Sequence, residues 1–313
     1  MPFADLHCDT IAWMLHCRRA GETMHLRDTE RMHVNLEKLK RSGYLLQNFA
    51  LFVDLKKAKD PWGEVLTLAE LAISEIEKTP HLVSPALSFG DMERARRENK
   101  IAAVLTVEEG GVCRGDINNL RTLHRLGVRM MTFTWNYENE LACPNGGAGG
   151  LTDRGHAFLG EMERLGVIPD VSHLSDRGFW DVCRAAKKPF AVSHSSCRNL
   201  WEHPRNLTDE MLRALADRGG IAGVNFYAGF LGPGETSRTE DIICHMKHMR
   251  DVAGLEVVAL GSDFDGITCP LELTDAAGMP QLVQEMERAG FTAREIEAIC
   301  WGNVWRFYRD TLT

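Results

Sequence analysis

A chain of 313 residues with 44% hydrophobic and 26% charged residues has the make-up of a soluble globular protein with a sizeable core. Its formal net charge of −8 argues against nucleic acid or an anionic membrane as the main partner. No run approaches the ~18–20 consecutive apolar residues of a membrane span. Its nine cysteines are odd in number, scattered, and contain no C-x-x-C pair. That pattern reads as reduced thiols of a cytoplasmic protein, and the absence of a basic stretch followed by an apolar run argues against a signal peptide.

Phe3–Leu6 reads as a first strand, with His7 and Asp9 at its end. Residues two apart on a strand face the same side, so this imidazole and carboxylate form half of a divalent-metal site. Residues 12–40 are mixed and charged and read as a long loop with helical pieces, a lid over that strand's end. Tyr44–Val53 is a buried strand and Trp62–Glu77 a helix with apolar positions at helical spacing. A regular alternation follows. Helices are expected at Phe89–Asn99, Ile117–Leu126, Arg154–Leu165, Ser175–Ala186, Thr208–Asp217 and Thr239–Ala253. Between and after them come strands at Ile101–Val107, Val128–Thr134, Val167–Ser172, Pro189–Ser193, Ile221–Phe226 and Val257–Gly261. Helices at Pro280–Ala289, Thr292–Cys300 and Asn303–Thr311 complete the chain. Helix, C-terminal glycine, short β-branched run and polar tip form the repeating unit. Eight strands in alternation with helices predict one α/β domain over residues 1–313, a (β/α)8 TIM-type barrel. No G-x-G-x-x-G opens a helix after the first strand, which counts against a dinucleotide fold.

Barrels of this kind place their chemistry at the C-terminal ends of the strands. The predicted ends carry His7 and Asp9, Glu108, Trp135-Asn136, His173, His194, Asn225 and Asp263. A single histidine at a strand end is commonly a hydrogen-bonded core residue, but so many potential ligands on one face point to a shared cause. Three imidazoles, Asp9 and Glu108 are more than one ion needs. A glutamate bridging two ions about 3.5–4 Å apart uses all five. Nitrogen and oxygen donors without thiolate suit zinc, with manganese or iron as alternatives. A rival cluster, Cys244, His245 and His248, lacks a carboxylate and lies in an ordinary amphipathic stretch that reads as a solvated helix face.

The segments DLHCDT, TVEEGG, VIPDVSHLS, AVSHSS, PRN, NFY and GSDFDG resemble, in order and spacing, the membrane (renal) dipeptidase family of zinc peptidases. The resemblance covers nearly the whole chain and implies a metal-dependent hydrolase barrel with two zinc ions. It implies that His7 and Asp9 bind one ion, His173 and His194 the other, and that Glu108 bridges them. Glu108 is preferred to Glu109 by its distance to Leu126-Gly127 and because it is nearer the strand end. Asp263 corresponds to the catalytic aspartate, Arg205 to the arginine that grips the substrate carboxylate, and Tyr227 falls at a substrate contact. Where well-known members have a substrate-contacting histidine, this chain has Trp135, which can donate one hydrogen bond but cannot accept a proton. The missing signal peptide and lipid-anchor signal point to a cytoplasmic relative, and dimers are common in the family.

The resulting expectation is a zinc-dependent dipeptidase. It would cleave short peptides with a free C-terminal carboxylate, D-residues at that position included, through a hydroxide between the metals. One alternative is a zinc amidohydrolase acting on N-acyl amino acids or cyclic amides. Another is a non-catalytic relative kept as a binding or scaffold protein.

Overall fold

Short β-branched and apolar runs dominate the strands, and all of them pair in parallel. The computed structural model describes residues 1–312. Its strands are β1 (Phe3–Asp5), β2 (Tyr44–Phe52), β3 (Val83–Pro85), β4 (Ile101–Glu108), β5 (Val128–Thr132), β6 (Ile168–Asp170), β7 (Ala191–Ser195), β8 (Ile221–Val224) and β9 (Val258–Leu260). Leu46–Phe52 pairs directly with Ala102–Glu108, and Asp5 pairs with Leu260. The ring β1-β2-β4-β5-β6-β7-β8-β9 therefore closes, giving the expected (β/α)8 barrel. β3 stands outside this ring. It pairs with the start of β4, where β5 joins only from Leu105 onward. Three residues ending in proline carry no readable alternation, and this strand was not expected.

Alternation along the strands sorts the core into an inside and an outside. Ala102 and Val104 of β4 face the barrel interior, while Ala103, Leu105 and Val107 pack outward against the helices. Parity carries the inner series on to Thr106 and Glu108. Leu46 of β2 likewise starts an inner series that runs through Asn48 and Ala50 to Phe52. The bottom of the barrel is sealed by the helix Asn303–Thr311, whose Val304, Trp305, Phe307 and Tyr308 pack on Ala4, Leu6, Ala259 and their neighbours. The Tyr308 hydroxyl donates to Asn48 Oδ1 at 2.8 Å, and Asn48 Nδ2 donates to the Leu6 carbonyl at 2.9 Å. Above this layer, β7, β8 and β9 draw close through glycines. A Cβ on Gly223 would meet the Ser193 carbonyl oxygen at 2.1 Å, and one on Gly261 would meet it at 2.0 Å.

The stretch after β1, expected as a long loop with helical pieces, carries two helices. Thr10–Arg19 is an α-helix that begins directly after Asp9, and Leu36–Ser42 is a second. Ile11, Met14 and Cys17 form the buried stripe of the first; the apolar Ala12, Trp13 and Leu15 between them blur its period. Side-chain caps at Asn35, Ser88, Asp116, Thr152, Ser175, Thr208 and Thr292 explain where other helices begin. The expected C-terminal Thr292–Cys300 helix is α-helical only over Ala293–Glu297 and then widens into a π-turn at Ala298–Gly302. Among the described residues no helix is long and apolar enough to cross a membrane.

Tyr308→Phe leaves Asn48 Oδ1 buried without its donor, which should cost about 1–3 kcal/mol. Urea unfolding is expected to show a lower midpoint with an unchanged slope; an unchanged midpoint would contradict the sealing role of this hydrogen bond.

Candidate metal centre

Five strand ends deliver the site. Glu108 is the last residue of β4 and continues its inner face. His7 and Asp9 follow β1, where pairing persists irregularly through a Cys8–Phe264 bridge. His194 lies within β7, His173 lies three residues beyond β6, and Asp263 lies three beyond β9. His173 and Asp263 take left-handed backbone conformations, with φ of 69° and 62°. Such strain costs about 1–3 kcal/mol per residue and persists only where the surroundings hold it. Gly266 completes the tip: a Cβ there would meet Asp9 Oδ2 at 2.1 Å and Asp263 Oδ1 at 2.6 Å. The two carboxylates can therefore close on each other only over a glycine.

The side chains converge on Glu108. Its Oε2 lies 3.1 Å from His7 Nε2, and its Oε1 lies 3.0 Å from His173 Nε2 and 3.6 Å from His194 Nε2. His7 Nε2 is also 3.4 Å from Asp9 Oδ2 and 3.9 Å from Asp263 Oδ1. Each oxygen of Glu108 thus faces a different set of donors. The sets His7, Glu108, His194 and His7, Asp9, Asp263 each bring their ligand atoms within 4.8 Å of one another.

Proton bookkeeping shows what these atoms lack. His173 Nδ1 faces Asn136 Oδ1 at 3.0 Å, an oxygen that also accepts from Asn145 Nδ2. Nδ1 must therefore carry the proton, leaving a lone pair on Nε2. Below His194, the Ser193 hydroxyl donates to Asp170 Oδ2 at 2.5 Å and accepts from His194 Nδ1 at 2.7 Å. Asp170 is fixed in turn by the backbone N–H groups of Ser172 and Ser193. His194 Nε2 is then also a bare lone pair, 2.9 Å from that of His173. Two lone pairs and a carboxylate oxygen pointing at one another need a cation between them. Asp9 Oδ1 is buried without a protein partner, a second sign of the same kind. The donor set fits divalent metal.

The electrostatics agree. Burial pushes Asp263 up to about 8, against the pull of His7 and with the charges of Asp9 and Glu108 adding to it. Burial and Glu108 also raise Asp9. His173 is pushed down to about 3 by burial and Arg205, and burial and His7 hold His194 well below the usual imidazole range. Burial works against both charges of the His7–Glu108 pair, yet their attraction keeps Glu108 well below and His7 well above their ordinary values. Added positive charge relieves the crowding of Asp9, Glu108 and Asp263.

Glu109 has a different task. It is buried with φ of 88° and turns away from the cluster. It accepts hydrogen bonds from the Gly111 N–H at 2.8 Å, the Trp135 N–H at 3.1 Å and Asn139 Nδ2 at 2.6 Å. Strand parity separates the two neighbours, and Glu109 clamps the loop that presents Trp135.

A cavity of about 480 Å³ opens over the cluster, with Trp13, Phe52, Trp135, Arg205, Tyr227 and Phe230 among the residues around it. Arg205 is buried; its Nη1 donates to Ser195 Oγ and its Nη2 to the His194 carbonyl, both at 3.0 Å, while its Nε–H has no protein partner. Burial lowers its pKa to about 10. The Tyr227 N–H is held by Asn225 Oδ1, and Asn225 Nδ2 donates to Asp263 Oδ2 at 2.9 Å. Trp135 stands edge-on to Phe52, with ring centroids 4.8 Å apart. Asp265 accepts the His33 and Val34 N–H groups and the Thr10 hydroxyl, tying residues 33–34 to the Asp263 loop.

The structure thus brings Asp9, Glu108, His173, His194, Asp263, Arg205, Trp135 and Tyr227 to one cavity, with His7 behind its wall against Asp9 and Glu108. Sequence reasoning missed Trp13, Phe52, Phe230, Gly266 and the Asp170–Ser193 support. Of these, Phe52 was readable from the inner parity of β2. The rival cluster does not converge: Cys244 is exposed, His245 bridges the Cys197 N–H and the Leu231 carbonyl, and His248 pairs with Asp209.

Comparison with known proteins places the chain in a family. The family model described as membrane dipeptidase, peptidase family M19, matches residues 1–313. An uncharacterized dipeptidase of Schizosaccharomyces pombe is 35% identical over 300 residues, covering 89% of this chain and 72% of that protein. Among solved structures, a metallopeptidase named dipeptidase AC superposes with a TM-score of 0.93 at 24% identity, covering 100% of this chain and 99% of the other. A metallopeptidase from Rhodobacter sphaeroides, liganded with a phosphinate mimic of L-Ala-D-Ala, gives 0.92 at 24% identity with 99% of each chain covered. At these identities the structural likeness shows the fold.

Glu108 and Glu109 differ by one position and should behave oppositely. Glu108→Gln is expected to abolish co-purifying metal. Glu109→Gln should retain it while lowering the unfolding temperature, because an amide NH₂ then opposes N–H donors at a cost of about 1–3 kcal/mol. Elemental analysis with thermal unfolding reads both; metal lost only in the Glu109 variant would reverse the assignment.

Proposed function

We propose that this chain, which belongs throughout residues 1–313 to the membrane dipeptidase family (peptidase family M19), cleaves dipeptides with a free C-terminal carboxylate at a centre of two divalent ions. Membership makes it a metallo-dipeptidase, a hydrolase of small peptides. The observation that carries the two-ion reading is the division of Glu108, one oxygen toward His7 and the other toward His173 and His194. His7, Asp9 and Glu108 would hold one ion, and Glu108, His173 and His194 the other. Nitrogen and oxygen donors without thiolate favour zinc. Bound there, the ions would supply a Lewis acid for the scissile carbonyl and bring the pKa of an attacking water toward ~7.

The protein's own groups do the rest. Asp263 is oriented by Asn225, which fixes Oδ2 and leaves Oδ1 on the cluster side. It would take the proton of the attacking water and return it to the departing amine, so that one carboxylate serves both half-steps. Arg205 is held by Ser195 and the His194 backbone, which fixes the plane of its guanidinium for a carboxylate. Tyr227, with its ring 5.0 Å from that of Phe230, stands on the same side. Trp135 offers an indole N–H and an apolar face, so it contributes shape and at most one donor. A D-residue at the C-terminal position belongs to the proposal because the Rhodobacter sphaeroides structure carries an L-Ala-D-Ala mimic. Nine free thiols suit a reducing, cytoplasmic compartment.

A panel of L-L and L-D dipeptides, with N-acyl amino acids alongside, tests the reading. Dipeptides should be cleaved, a chelator should abolish turnover, and zinc should restore it, with about two ions bound per chain. Cleavage of N-acyl amino acids but of no dipeptide under added zinc would replace the proposal with the amidohydrolase reading.

Arg205→Lys keeps the charge but loses the fork. It should raise KM about tenfold with kcat less affected, and should shrink the preference for a free acid over a C-terminal amide. An unaltered KM for the free acid would remove Arg205 from carboxylate binding.

A further inference from the structure

The cavity over the metal centre has a neighbour. A second depression of about 790 Å³ lies beside it, and the two share only Ala12 and Phe52 in their walls. Ala12 contributes a methyl group, so the ring of Phe52 is the bulk of the partition. That ring is placed by the backbone. Phe52 ends the inner series of β2 and pairs in register with Glu108, which puts it at the barrel mouth beside the cluster. Its edge-on contact with Trp135 braces it from the reaction side.

Topology says which end of a substrate meets this wall. In the closed ring of eight strands, β2 and β7 lie four positions apart and face each other across the mouth. Arg205 is anchored on β7 through Ser195 and the His194 carbonyl. A dipeptide whose carboxylate rests on Arg205 and whose amide bond lies over Glu108 therefore extends its first residue toward β2. The space behind Phe52 has a mixed lining: Ala12, Leu15, Ala58 and Leu68 offer an apolar wall for a ring, and charged groups such as Lys57 and Asp60 form its open side. Three of its acids are already paired, Glu64 with Arg19, Asp54 with Lys57 and Asp60 with Arg114.

We propose that Phe52 is the specificity-determining partition on the N-terminal side of the substrate, and that the depression behind it is a latent subsite for a bulky first side chain. The proposal rests on the dipeptidase reading with Arg205 as the carboxylate anchor. The intact chain favours first residues that fit in front of the ring; shortening the ring joins the two spaces and admits bulky aromatic ones.

The test compares kcat/KM for Ala-Ala, Trp-Ala and Ala-Trp, with zinc supplied, in the wild type, Phe52→Leu and Phe52→Ala. The ratio of Trp-Ala to Ala-Ala should rise at least about tenfold in Phe52→Ala and in the same direction in Phe52→Leu, while the ratio of Ala-Trp to Ala-Ala stays put. The leucine variant keeps the measurement available if the alanine variant folds poorly. An unchanged Trp-Ala ratio overturns the partition, and a gain confined to Ala-Trp overturns the assigned direction. A wild type that cleaves none of the three is a separate result: it removes the dipeptidase reading itself, and the proposal with it.

Discussion

A buried carboxylate whose two oxygens face separate groups of donors is the constraint on which this molecule turns. Glu108 is almost fully enclosed, and three imidazoles and two further carboxylates approach it. Such a gathering of lone pairs and negative charge has no stable arrangement in an apolar interior unless cations or protons stand between its members. The surroundings are therefore built to hold it. Asp170 and Ser193 set one imidazole, Asn136 sets another, Asn225 turns Asp263, and the hidden Glu109 ties the neighbouring loop in place. These supports spend hydrogen bonds on orientation, which is what a rigid reaction site requires.

The barrel divides that labour by depth. Its lower half is an oily stack of Ala, Val, Leu and Met closed by aromatic side chains from the last helix. Its upper half turns polar within one or two residues along each strand. The changeover is sharp because alternate residues share a face, so an apolar series such as Ala102 and Val104 delivers Thr106 and Glu108 to the mouth without any turn of the backbone. Metal chemistry is thereby kept away from the part of the core that sustains the fold.

The same division explains what could be read from the residues alone. His7, Asp9, Glu108, His173, His194 and Asp263 stand immediately after apolar runs, so strand rhythm and side-chain chemistry together pick them out. Glu108 is picked over Glu109 by its spacing to Leu126-Gly127 and its nearness to the strand end, and the inner parity of β4 in the structure agrees. The wall of the cavity was harder to see: Trp13 sits on a helix whose stripe of Ile11, Met14 and Cys17 is blurred by the apolar Ala12, Trp13 and Leu15 between them. The inner parity of β2 marks Phe52 as facing the barrel mouth, but its contact with Trp135 needed the fold. β3 escaped because three residues hold no period. A strand's own rhythm and its polar tip were visible; contacts between segments, such as Ser193 with Asp170 or Phe52 with Trp135, became visible only in three dimensions.

The first and last parts of the chain meet at the base of the barrel. β1 is bordered by β9, and the final helix inserts Tyr308 beneath Asn48. During synthesis the ring cannot close until β9 has left the ribosome, and its floor stays open until residues 303–311 follow. The interior therefore remains wet, and the ligand-bearing ends unorganised, for most of translation. A chain halted between β9 and the helix Asn303–Thr311 would have a closed ring with an open floor, exposing the apolar layer around Ala4, Leu6 and Ala259 that Tyr308 and its neighbours cover.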